Sequence, residues 1–125
     1  MKLEFVREGS PDCPLLRLYD FGPTEARQLQ HAMLRLVRKS DEKISLHQQP
    51  GIQPLAGCEL TLLRADNVQG VREIAPGKFE WPYSIDGWLE VAGLIQPFCQ
   101  ADAGGFQWLS RIGKVAVLLS RDGNW

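Results

Sequence analysis

LLRLYDFGPTEARQLQHAMLRLVRK, residues 15–39, carries a strand, a break and a helix in one run. From Leu15 to Phe21 the residues alternate, with Leu16 and Leu18 on one side, as a half-buried strand requires. Gly22-Pro23-Thr24 interrupts that pattern, and a helix is expected to begin near Thr24. Beyond it Ala26, Leu29, Met33, Leu36 and Val37 recur at helical spacing and draw one apolar stripe. Glu25 lies in the first turn and Arg35, Arg38 and Lys39 in the last, where side-chain charge opposes the helix dipole. A strand feeding directly into an amphipathic helix sets the class as α+β.

Upstream, Lys2 to Glu8 alternates with Leu3 and Phe5 on one face, and Ser10-Pro11-Asp12 supplies a turn. Residues 2–8 and 15–21 therefore read as a hairpin. Downstream come a short strand at Ile44–Gln48, a loop at Gln49–Gly57 stiffened by Pro50 and Pro54, and a strand at Glu59–Arg64. Asp66-Asn67 then provides turn chemistry. Val71–Ala75 and Lys78–Tyr83 flank Pro76-Gly77, which suits the two central positions of a type II turn. A second helix is expected from near Ser84, with Trp88, Leu89, Val91, Ala92 and Ile95 on its apolar face and Pro97 at its end. After a loop at Ala101–Gly105, Phe106–Leu109 and Lys114–Ser120 form a last hairpin. Val115 to Leu119 is apolar on both faces, as in a central strand.

The order is ββαββ followed by ββαββ. Leu62-Leu63-Arg64 and Leu118-Leu119-Ser120-Arg121 are alike, which suggests quasi-repeat halves at residues 1–67 and 70–125. With 125 residues and no linker, the expectation is a single α+β domain, its mostly antiparallel sheet covered by two helices.

Composition narrows the function classes. Fourteen basic and fifteen acidic side chains leave a net charge of −1, which argues against nucleic acid as the main partner. The longest stretch free of acidic and basic residues, Ile44 to Cys58, contains two prolines, so no membrane span is expected. The start, MKLEFVREG, lacks the apolar run of a signal peptide, which predicts a cytoplasmic protein. Cys13, Cys58 and Cys99 are odd in number and widely spaced and read as free thiols. His31 and His47 stand sixteen residues apart, and His47 reads as exposed; no metal site and no cofactor follow from them. Neither Gly77-Lys78 nor Gly113-Lys114 has the spacing of a phosphate-binding loop. Arg27, Arg35, Arg38, Lys39 and Lys43 read as a solvated helix face.

The large aromatics are unevenly placed. Phe79, Trp81, Tyr83, Trp88, Phe98, Phe106 and Trp108 crowd into residues 79–108, and Trp125 ends the chain. Such rings fill a core or gather contact energy at a binding surface. Trp81 precedes Pro82, and proline belongs on edge strands, so this segment reads as an edge carrying exposed aromatics. Asp86 and Glu90, four apart on the second helix, lie beside it. The candidate binding residues are Trp81, Tyr83, Asp86, Glu90 and Trp108. They suit a non-enzymatic binding or protein-interaction module, pairing as a homodimer or with another protein. The alternative is a small enzyme or small-molecule-binding protein with a pocket between helix and sheet near the same residues.

Overall fold

A computed structural model describes all of residues 1–125 except Val68, Asp102 and Ala103. The first hairpin is β1 (Lys2–Val6) and β2 (Leu15–Tyr19), antiparallel with Leu3 opposite Leu18. Helix α1 spans Pro23–Val37. Pro23 occupies its first turn, where no N–H is missed, and Glu25 Oε1 accepts the Gly22 N–H at 3.0 Å. Strand β3 is Lys43–Ser45, followed by a 3-10 turn at Leu46–Gln48, so the strand expected at Ile44–Gln48 stops early. The reason is His47, whose ring turns inward to bond the backbone of Leu60 (see below). A two-residue strand β4 (Gln53–Pro54) and β5 (Glu59–Arg64) complete the first half.

The second half consists of β6 (Arg72–Ala75), β7 (Lys78–Tyr83), α2 (Ile85–Ile95), β8 (Phe106–Ser110) and β9 (Ala116–Ser120), with no counterpart to β4 among the described residues. Gly77 takes φ +76°, as the type II turn demands. Ser84 caps α2, its Oγ accepting the Gly87 N–H at 3.0 Å. Pro97 falls inside a 3-10 turn at Gln96–Cys99 that follows the helix. The loop expected at Ala101–Gly105 lies partly outside the described residues.

The strands form two sheets, in the orders β4-β1-β2-β9-β8 and β3-β5-β7-β6. Four of the seven pairings are antiparallel; β1–β4, β2–β9 and β5–β7 are parallel, so each sheet is mixed. Residues 1–67 give β1, β2 and β4 to the five-stranded sheet and β3 and β5 to the other, residues 70–125 give β8 and β9 to the first and β6 and β7 to the second, and the two segments meet at the parallel pairs β2–β9 and β5–β7. Leu16 and Leu18 sit opposite Val117 and Leu119 in one sheet, and Phe79 and Trp81 opposite Leu60 and Leu62 in the other. All eight are buried in one core.

The core joins the inner faces of both sheets to the stripes Ala26, Leu29, Met33, Leu36 on α1 and Trp88, Val91, Ala92, Ile95 on α2. Leu89, expected on that stripe, is 53% exposed, because the buried side of α2 is defined by Trp88, Val91, Ala92 and Ile95. The sheets meet through Phe5 on β1 and Phe79 on β7, with ring centroids 4.6 Å apart, and through a backbone bridge between Val71 and Val115. Gly70 is required beside that bridge, since a Cβ there would lie 1.9 Å from the Ile112 carbonyl oxygen. No helix among the described residues is long and apolar enough to cross a membrane.

Candidate functional site

The candidate residues do not converge. Trp81 is fully buried on β7, an inner strand between β5 and β6. Its ring centroid lies 4.7 Å from Trp88 and 6.4 Å from Tyr83, and Tyr83 meets Trp88 edge-on at 5.8 Å. The edge expected from Pro82 exists only locally: β6 pairs with Lys78, Phe79 and Glu80 and stops, leaving Pro82 without a strand partner on that side among the described residues. These rings are core. Trp88 Nε1 donates to the Leu63 carbonyl at 3.2 Å, whereas Trp81 Nε1 is buried with no partner among the described residues.

Tyr83 is 9% exposed and lies directly on Gly87, where a Cβ would approach its ring to 2.1 Å. Burial, and then the negative charge of Glu90, push the Tyr83 phenol above its ordinary value. Asp86 and Glu90 themselves stand exposed on the solvent side of α2. No three His, Cys, Asp or Glu side chains among the described residues gather as a metal site. Burial raises the Cys58 thiol to about 11 and also raises Cys99, so both stay protonated and are weak nucleophiles. His47 is not a free surface residue. Its Nδ1 accepts the Leu60 N–H at 3.0 Å, and its Nε2 lies 3.4 Å from Glu59.

Trp108 belongs to a different surface. It lies on β8, the outermost strand of the five-stranded sheet, opposite Leu118, which in turn lies opposite Arg17; Arg17 lies opposite Glu4 on β1. Cross-strand partners share a face, so Glu4, Arg17, Leu118 and Trp108 form one row on the side away from the main core. Lys2, Tyr19, Ser120 and Phe106 form the next row by the same registers. Leu15 and Leu118 are fully buried yet lie outside the main core cluster, so this outer face has apolar packing of its own.

Arginine–aromatic stacking organises the surface. The Arg111 guanidinium sits 4.4 Å from the centre of the Trp108 ring, and that of Arg17 4.1 Å from the Tyr19 ring. Phe106 meets Trp108 edge-on at 6.4 Å. The C-terminal residues cross the face: Arg17 Nη1 donates to the Gly123 carbonyl at 2.9 Å, and Trp125 Nε1 to Asp12 at 3.2 Å. Phe106 and Trp125 on this surface are 48% and 37% exposed, two of the five large apolar side chains open to solvent among the described residues. The sequence signal for this site was the alternation in Phe106-Gln107-Trp108; what it lacked was the identity of the neighbouring strands. Comparison of the chain with protein-family models, curated proteins and solved structures finds no match.

Proposed function

We propose that the protein is a non-enzymatic interaction module that associates with a second copy of itself through the outer face of β8. The observation that carries this reading is the clustering of Phe106, Trp108 and Trp125 around one sheet edge, because exposed apolar groups gathered in one place mark contact surfaces. Two features favour a second copy over another partner. The charges on the face are already paired within the chain, Arg17 with Glu4, Arg111 with Asp12 and Lys2 with Asp20. A face without surplus charge can meet itself across a two-fold axis without repulsion. The β8–β9 register also shifts between Trp108 and Ser110, an irregularity that disfavours strand-to-strand addition and leaves the aromatic face as the contact.

Sedimentation velocity across a concentration series up to about 100 μM tests the proposal. A dimer is expected, and Trp108→Ala should weaken it by at least about 30-fold, the loss of a typical central aromatic contact. Phe106→Ser, at a more exposed ring, should weaken it about tenfold while leaving the far-ultraviolet spectrum unchanged. A wild-type protein that stays monomeric throughout refutes self-association, and so does a dimer indifferent to both variants.

A further inference from the structure

A second surface, across the molecule's other elements, is built for a small ligand. Between α1 and residues 46–52 lies a cleft of about 370 Å³. That volume falls within the range of small-molecule sites. Its floor is apolar: Leu29 and Ala32 from α1 and Leu46 from the 3-10 turn are buried, and Ile52 is packed against the core. Both ends are tied. At one end the Met1 amino group bonds Glu25 of α1 and the Gly51 carbonyl of the facing loop, the latter at 2.8 Å. At the other, Arg35 Nη2 donates to Gln49 Oε1 at 3.0 Å. Those ties hold the walls apart and preform the slot, so little ordering is needed on binding.

The charges along the rim are unequal. Arg27, His31 and Arg35 follow at i, i+4 and i+8 and line the same side of α1. Glu25 is neutralised by the Met1 amino group, and Arg35 by Asp41 at 3.2 Å. Arg27, by contrast, makes one hydrogen bond among the described residues, to the uncharged Cys99 carbonyl at 3.1 Å. Most of its five N–H donors remain for a bidentate acceptor. Among the described residues the slot therefore joins an apolar floor to a guanidinium without an ion-pair partner.

We infer that this cleft binds a small carboxylic acid with an apolar body, the carboxylate on Arg27 and the body over Leu29, Ala32, Leu46 and Ile52. This site does not depend on the β8 face.

The test titrates the full chain with 4-phenylbutyrate and, separately, with the matched alcohol 4-phenylbutan-1-ol, following backbone amide shifts by NMR. The acid should bind at least about tenfold more tightly than the alcohol, the gain expected from a charge-assisted hydrogen bond. Shifts should centre on residues 27–35 and 46–52. Arg27→Gln, at an exposed position, should lower acid affinity to that of the alcohol while alcohol binding persists. Equal affinities in the wild type overturn the assignment, as do shifts absent from both segments or an acid preference that survives Arg27→Gln.

Discussion

Two identical substitutions on helix α2, Gly87→Ala and Gly93→Ala, should change stability in opposite directions. At Gly93 a Cβ meets nothing within 4 Å and the position is exposed. Only the intrinsic preference of a helix for alanine acts there, a gain of about 0.5–1 kcal/mol. Gly87 would gain the same preference, but its Cβ would lie 2.1 Å from Tyr83 Cδ1 and 2.2 Å from Cε1. Ordinary carbon contacts are about 3.5–4.0 Å, so the ring would have to retreat by more than an ångström. Tyr83 has no room to do so, being 9% exposed and packed against Trp81 and Trp88. Overpacking of this kind costs about 1–3 kcal/mol. Subtracting the helix preference from the middle of that range leaves a net loss of about 1 kcal/mol for Gly87→Ala. The two variants should therefore differ by roughly 2 kcal/mol in urea unfolding followed by tryptophan fluorescence, with unchanged slopes. In a Tyr83→Ala background the clash is removed, and Gly87→Ala should become stabilising. If Gly87→Ala is as stable as Gly93→Ala in the native background, the packing of Tyr83 on the helix is not as described.

Two further outcomes follow from buried polar contacts. The Met1 amino group, then the Gly22 N–H, hold the Glu25 carboxyl below its ordinary value. Its depressed value means that its contribution is present at neutral pH and is lost as pH falls through the folded-state value. Glu25→Gln should thus cost about 1 kcal/mol at pH 7, the modest size reflecting its partial exposure. The gap between wild type and variant should narrow in acid, and urea midpoints showing a constant gap from pH 7 to pH 3 would refute the pairing. His47→Ala removes the acceptor for the Leu60 N–H at the start of β5 and should cost about 1–3 kcal/mol. Hydrogen exchange at the Leu60 amide should accelerate in that variant, and unchanged protection there would sink the assignment.

Trp81 and Trp108 illustrate how far local pattern reaches. Both sit in short alternating strands with a second aromatic two residues before, Phe79 and Phe106, and composition does not distinguish them. Trp81 is core because β5 and α2 close over it; Trp108 is half-buried because β8 has a single neighbour. Those neighbours lie nearby or far off in sequence without any periodic trace. His47 differs from its expected exposure for a related reason, since its partner, the Leu60 amide, comes from another strand. The α1 cleft was hidden altogether: Arg27 and Arg35, with Arg38, Lys39 and Lys43, read as a solvated face, and only the docking of residues 46–52 gives the helix an opposite wall there.

The chain by itself determined both helices with their starts, the hairpins, the Pro76-Gly77 turn and the α+β class, because periodicity, caps and turn chemistry act over a few residues. It did not show β4, whose two residues Gln53–Pro54 lie in the expected loop at Gln49–Gly57 and pair with β1. Only the tertiary structure decided that the strands divide into two mixed sheets, each built from both halves, and hence which aromatics face solvent. Parallel pairing of β2 with β9 joins residues about a hundred positions apart. Such pairing is chosen by burial of whole faces against one another, a property of the assembled core and of no single segment.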